Sequence, residues 1–348
     1  MLRRTFLKTA IASLATPAMS WSSGGWRTFD ITTRVEIQTP SGLTRAWLPL
    51  PVADASYQRV LKRSWKGNAT TLRAIRADTL DGEMLFAEWP ATETRPQLEL
   101  SLEMATLDRA VDWGATVRTA STASLRRYLQ PTRLLPLDGM VRETAERITR
   151  HASDDESKGR AIYDWIVENT VRDPEVRGCG LGDIRGMLET GNLRGKCADL
   201  NALFVGLARA AGIPARDVYG LRIAPSRRFK SLGRSGDVTT AQHCRAEFHS
   251  ARRGWVPADP ADVRKVILEE APGLDLESPD VQHARRQLFG SWEANWIAFN
   301  DAHDVRLPHS TGPQLPFFMY PQAETGGRRL DCLEPPAFRY QITATERS

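Results

Sequence analysis

The sequence predicts an α+β protein with an N-terminal antiparallel β-sandwich, on three observations. Short segments of alternating polarity recur through residues 26–113, the pattern of half-buried strands. Near Pro131 the apolar spacing lengthens to that of amphipathic helices. Beyond residue 240 a strand, a tight turn and a second strand follow each other over residues 242–260.

The first strands are Thr28-Phe29-Asp30-Ile31-Thr32-Thr33-Arg34-Val35-Glu36-Ile37 and Thr44-Arg45-Ala46-Trp47-Leu48-Pro49-Leu50-Pro51, the latter closed by prolines. Residues 85–89 and 98–104 continue the series, with a turn expected at Asp81-Gly82. No His, Cys and carboxylates gather here, so this part reads as a support or docking module. A first helix follows Asp138 as N-cap, with Met140, Val141, Ala145 and Ile148 at helical spacing. A second follows Ser153-Asp154-Asp155 and carries Ile162, Trp165 and Ile166. The glycine-rich stretch 177–183 lacks phosphate-binding spacing and reads as a loop.

The third helix carries the most information. Leu200, Leu203, Phe204 and Leu207 form one face, with Gly195 before the helix and Gly212 and Pro214 ending it. Cys197 therefore lies in the first turn, where unpaired N–H groups and the helix dipole favour a thiolate. Downstream, folding 242–260 about its turn sets Asp259 within a residue or two of facing His243. A thiol at a helix start and a His steered by a carboxylate are the parts of a thiol nucleophile: the His moves the proton and the Asp orients it. His249 shares the His243 face, but six residues of strand separate the two by roughly 20 Å. That distance argues against a shared zinc ion, whose bonds to nitrogen are about 2 Å. His151, His283, His303 and His309 have no companion motif and read as surface or loop residues.

At this point the residues resemble a known family. Gly195-Lys196-Cys197-Ala198-Asp199-Leu200 with 208–216, His243-x-x-x-Glu247, and Gly254-Trp255-Val256-Pro257-Ala258-Asp259-Pro260 are similar to the Cys, His and Asp segments of the transglutaminase-like superfamily. The resemblance covers roughly residues 155–265. It implies a papain-like core, with Cys197 as nucleophile, His243 as general base and Asp259 as orienting carboxylate. The shared step would be thiolate attack on a carboxamide, giving a thioester that water, an amine or another acceptor resolves. Two positions depart from the family pattern: Arg245 stands where an aromatic is usual, and Ala261 where Thr is common after Asp-Pro.

Trp292, Asn295 and Trp296 are candidate substrate-binding residues, lining a cleft by stacking and amide hydrogen bonding. The competing reading has the two Trp at i and i+4 of a helix packing the core. Cys244 points away from His243 and is expected in the core, and at most one disulfide is possible among Cys179, Cys244 and Cys332 if Cys197 stays reduced. No cofactor or metal is expected.

The segments expected are an export signal over 1–20, the β-sandwich domain over 26–113, the catalytic domain over 131–310 and a C-terminal extension over 311–348. Residues 1–20 are basic, then mildly apolar, with Ala18-Met19-Ser20 as a cleavage site and Arg3-Arg4 resembling a twin-arginine signal. Their ten-residue apolar stretch is far short of the ~20 that span a bilayer, so no transmembrane anchor is expected and the location is periplasm or cell envelope. The 348 residues carry 47 Lys+Arg against 42 Asp+Glu, a net charge of +5. Arg3, Arg4 and Lys8 supply three of these, so a chain starting after Ser20 carries only +2. That residue is too small to argue for nucleic acid, although the cluster from Arg222 through Arg234 can edge the cleft. The partner expected is a protein, peptide or peptidoglycan-peptide substrate. The function expected is acyl transfer or hydrolysis at a carboxamide, and the alternative is a non-catalytic envelope-binding protein on the same scaffold.

Overall fold

The structure is a computed structural model and describes residues 25–117, 122–273, 275–336 and 338–347. The expected export signal at 1–20 lies outside them.

Six longer strands come first: β1 (Arg27–Ile37), β2 (Thr44–Pro49), β3 (Gln58–Gly67), β4 (Thr71–Ala77), β5 (Leu80–Trp89) and β6 (Gln97–Thr106). Strand β6 lies between β1 and β3 in one antiparallel sheet, and β5 lies between β2 and β4 in another. Phe29, Ile31 and Leu100 of the first sheet share an apolar cluster with Leu48, Leu85 and Trp89 of the second. Alternation made β1 legible, since its exposed residues, Asp30, Arg34 and Glu36, are all even-numbered. Strands β3 and β4 lie outside the expected series: β3, Gln-Arg-Val-Leu-Lys-Arg-Ser-Trp-Lys-Gly, is mostly exposed and shows no apolar stripe, and in β4 only Ile75 is buried. The expected turn at Asp81-Gly82 is corrected to Asp78-Thr79; residues 81 and 82 lie inside β5.

The helical part comprises α1 (Gly139–Thr149), α2 (Asp155–Asn169), α3 (Ile184–Thr190) and α4 (Cys197–Ala210). Asp154 caps α2 by a reciprocal exchange with Ser157. Asp138 is the N-cap residue of α1 but makes no capping hydrogen bond; its carboxylate accepts from Arg185 instead. Met140, expected on the buried face, is exposed.

A central sheet backs these helices: β7 (Ala215–Arg222), β8 (Gln242–Ser250), β9 (Gly254–Ala258) and, after α5 (Pro260–Glu269) and α6 (Pro279–Gln287), β10 (Trp296–Asn300). Its order is β9-β8-β7-β10. Cys244, Ala246 and Phe248 of β8 pack in one cluster with Leu200, Leu203 and Phe204 of α4, so the even-numbered face of β8 meets the helix layer and the odd-numbered face bears His243.

The C-terminal segment completes both N-terminal sheets. Strand β11 (Gln322–Thr325) pairs with β2, and β12 (Phe338–Glu346) pairs with β1 along its length, Ile37 facing Phe338. A bidentate Arg27–Glu346 pair at 2.7 Å closes that edge. Among the described residues no helix is long and apolar enough to cross a membrane.

Candidate active site

Cys197 is the first residue of α4 and Lys196 its N-cap. The glycine-rich loop at 177–183 wraps this helix start. Leu181 and Gly182 donate backbone N–H bonds to one carboxylate oxygen of Asp199 at 2.9 Å, and Lys196 donates its own to the other at 2.9 Å. Ala198 N–H donates to the Cys179 carbonyl at 2.9 Å. The loop thus satisfies one orphan N–H of the first turn, that of Ala198, and sets Cys179 beside Cys197.

The β8–β9 hairpin pairs Ala246 with Ala258 and Ser250 with Gly254. Asp259 follows β9 and caps α5, with Pro260 at the first helical position. Its Oδ2 lies 2.8 Å from His243 Nε2. Its Oδ1 accepts from Asn201 Nδ2 at 3.2 Å and from the Asp262 N–H at 3.1 Å. Asn201 also donates to the Cys244 carbonyl at 2.8 Å, linking α4 to β8. Trp296 Nε1 donates to the His243 carbonyl at 2.8 Å. The His is therefore fixed at its ring, its backbone and its carboxylate partner.

Asp262 joins this centre unforeseen, and Arg222, expected only at the cleft edge, reaches it from the end of β7. His243 Nε2 lies 3.4 Å from Asp262 Oδ1, which takes Arg222 Nη2 at 2.5 Å. Arg245 stands 3.8 Å from Asp259 and lies over the Trp296 ring at 4.7 Å. The available signals were Asn201 at i+4 from Cys197 on an otherwise apolar helix, and Asp262 three residues after Asp259. Neither carries meaning until the hairpin is folded. His243, Asp259 and Asp262 offer ligand atoms within 4.8 Å of one another, but Arg222 and Arg245 already supply the positive charge there.

The environment separates the thiols. Hydrogen bonds from Cys179 and Cys244, together with His243 and against burial, hold the Cys197 thiol well below the usual thiol range. The hydrogen bond to Cys197, with burial, pushes Cys179 well above it, and burial first of all does the same to Cys244. For His243, burial and Arg222 oppose the imidazolium, but Asp262 and Asp259 outweigh them and its pKa rises. Burial and the Asp262 charge raise Asp259. Burial works against Asp262 too, yet Arg222 takes it well below the carboxylate range. All four Cys are free thiols.

Cys197 and His243 line one cleft of ≈ 330 Å³. Trp292, Asn295 and Trp296 do not line it. They are 3 %, 1 % and 2 % exposed, and the two Trp lie in short strands rather than on the helical face weighed above. Asn295 Nδ2 donates to the Leu232 carbonyl at 2.7 Å, and Trp292 packs on Trp296 with ring centroids 5.5 Å apart. Their isolated sequence pattern could not distinguish a cleft wall from the layer behind His243. His249 remains apart, edge-on to Trp255 at 5.4 Å. His303, read as a surface residue, is corrected: its side chain is buried 3.2 Å from Asp217.

Residues 142–260 match the family model of the transglutaminase-like superfamily. An uncharacterized protein of Haemophilus influenzae is 35% identical over 337 residues, spanning 91% of this chain and 90% of its own. The crystal structure of a candidate cysteine protease from Cytophaga hutchinsonii is 14% identical and superposes with a TM-score of 0.59, covering 94% of this chain and 92% of that one; at that identity the likeness concerns the fold. With Cys197, His243 and Asp259 all inside the matched region, the chain belongs to the transglutaminase-like superfamily.

Proposed function

We propose that the protein is a cysteine-dependent enzyme that cleaves or transfers the acyl group of a carboxamide. The observation that carries this is the arrangement at the start of α4: Cys197 and His243 line one cleft, and His243 Nε2 meets Asp259 at 2.8 Å. Nε2 held by the carboxylate leaves Nδ1 for the thiol proton. Cys197 Sγ attacks the carbonyl carbon as thiolate, and the carbonyl electron pair moves onto oxygen. The N-terminal N–H groups of α4 are suited to stabilise that oxyanion. His243 then protonates the departing amine as the C–N bond breaks, leaving a thioester on Cys197. Water or an amine, deprotonated by His243, attacks the thioester and expels the thiolate.

Trp292, Asn295 and Trp296 take the supporting place behind His243 in this reading. The two N-terminal sheets, completed by β11 and β12 of the C-terminal segment, act as a sandwich-type docking module beside the catalytic segment, and the enzyme works outside the cytoplasm on a protein or peptide.

The test is iodoacetamide labelling with peptide mapping at pH 7. Cys197 is expected to label ahead of Cys179, Cys244 and Cys332, and to slow by about 10²–10⁴-fold in His243→Ala, the usual scale of a positioned acid–base group. Equal labelling of Cys197 in both proteins would overturn the proposal in favour of a non-catalytic scaffold.

A further inference from the structure

The cleft above Cys197 has a charge pattern unlike the rest of the chain. Five of its lining residues are cationic, namely Arg172, Lys196, Arg222, Arg234 and Lys265, and no Asp or Glu lines it among the described residues. The whole chain carries 47 bases against 42 acids, so this separation is local.

Not all of that charge is available. Arg222 is tied to Asp262 behind the cleft, and Lys265 reaches Glu269 only at 3.8 Å. Arg172, Lys196 and Arg234 form no ion pair with a carboxylate among the described residues. Arg172 Nη1 is buried without a hydrogen-bond partner, a costly state that an incoming anion relieves. Arg234 is held across its loop by a hydrogen bond to the Thr240 hydroxyl, which keeps its guanidinium at the rim. Burial and the Arg222 charge lower the pKa of Lys265 against the opposing pull of Asp262 and Glu269.

Resting on the reading of Cys197 as a nucleophile, we infer that the cleft selects acyl donors bearing a carboxylate beside the scissile carboxamide, with Arg172, Arg234 and Lys265 as the specificity-determining cations. A peptide meets this requirement through an acidic side chain or a free C-terminus one or two residues from the cleaved bond. Focused positive potential in a cleft with low-dielectric walls raises the local concentration of such an anion, and guanidinium groups hold it by paired hydrogen bonds. A ≈ 330 Å³ cleft receives one or two such groups and excludes a nucleic-acid duplex.

The full-length protein supplies the test, because Cys197 can be alkylated by a neutral and an anionic reagent of similar size. The rate ratio of iodoacetate to iodoacetamide at Cys197 is expected to exceed that of a free cysteine peptide by about tenfold at low salt, within the range of electrostatic steering. It should fall toward the peptide's ratio at 1 M salt and in Arg172→Gln, Arg234→Gln and Lys265→Gln. Protection of Cys197 from iodoacetamide by a Glu-containing glutaminyl tripeptide, and not by its neutral analogue or by inorganic phosphate, would identify the carboxylate. A ratio equal to the free peptide's overturns the inference while the nucleophile stands. Equal protection by phosphate overturns the preference for carboxylate. Failure of iodoacetamide itself to label Cys197 defeats the nucleophile first and the inference with it.

Discussion

At pH 7 an ordinary thiol, with a pKa of about 8.5, is almost wholly protonated, and an ordinary His is mostly neutral. In this site the two shifts run toward each other: Cys197 is lowered and His243 is raised. A lowered thiol is ionised at pH values where free Cys is not, and a raised His keeps its proton to higher pH. The thiolate–imidazolium pair therefore persists across the window between them. Iodoacetamide labelling of Cys197 should be nearly flat from about pH 6 to pH 8, whereas free Cys climbs steeply toward its pKa near 8.5. Amide turnover should decline on the alkaline side as His243 loses its proton. Asp262→Asn adds a second readout. It removes one of the two carboxylates beside His243 and leaves the Asp259 contact in place, so the alkaline limb moves to lower pH. It also strands the buried Arg222, at a cost of about 3–5 kcal/mol, seen as a lower Tm. An unchanged pH profile would show that Asp262 serves the fold alone.

Elements decide where those residues meet, and they differed in how readable they were. Helix α4 was legible because its apolar spacing and its glycine and proline stops are local properties of the chain. The hairpin was legible because a tight turn fixes its register, which brings Asp259 near His243. Arg222 and Arg245 were legible as residues near the cleft but not as partners of Asp262 and Asp259, since those contacts depend on three strands and α5 assembling. Nor was the glycine-rich loop, whose meaning lies in Asp199. Gly180 has φ +92, and a Cβ there would stand 1.8 Å from Asp199 Oδ2. Gly180→Ala is thus expected to push Asp199 off the N–H groups of Lys196, Leu181 and Gly182 and to shift Cys179 from Cys197. The labelling midpoint of Cys197 should rise and Tm should fall. Gly191→Ala is the control. Gly191 also has positive φ, but nothing lies within 4 Å of an added Cβ, so it should cost about 1–2 kcal/mol of backbone strain and leave the labelling profile unchanged.

On the scale of the molecule, the β-rich part and the site-bearing part share structure. Leu221, Ile223, Ile297 and Phe299, from β7, β10 and the loop after β7, lie in the same apolar cluster as Phe29, Leu48 and Leu102. Glu247 adds a charged tie. It is fully buried on β8 and takes Arg109 Nη1 at 2.5 Å, from just beyond β6, and Arg216 Nε at 2.6 Å, from β7. Arg216 in turn reaches Asp301 and the Tyr128 hydroxyl at 2.8 Å. With one cluster and one carboxylate spanning both parts, calorimetry should record a single unfolding transition. Burial disfavours the Glu247 charge, but Arg109 and Arg216 overcome it and lower its pKa. A carboxylate lowered in the folded state stabilises at pH values above its unfolded pKa of about 4.3 and loses that contribution as pH falls through the folded value. Glu247→Gln should therefore lower Tm at pH 7, by the equivalent of about 3–5 kcal/mol for breaking a buried pair, and should flatten the decline of Tm on the acid side. Two separate transitions, with only one moved by Glu247→Gln, would mean that the β-rich part folds independently of the site it supports.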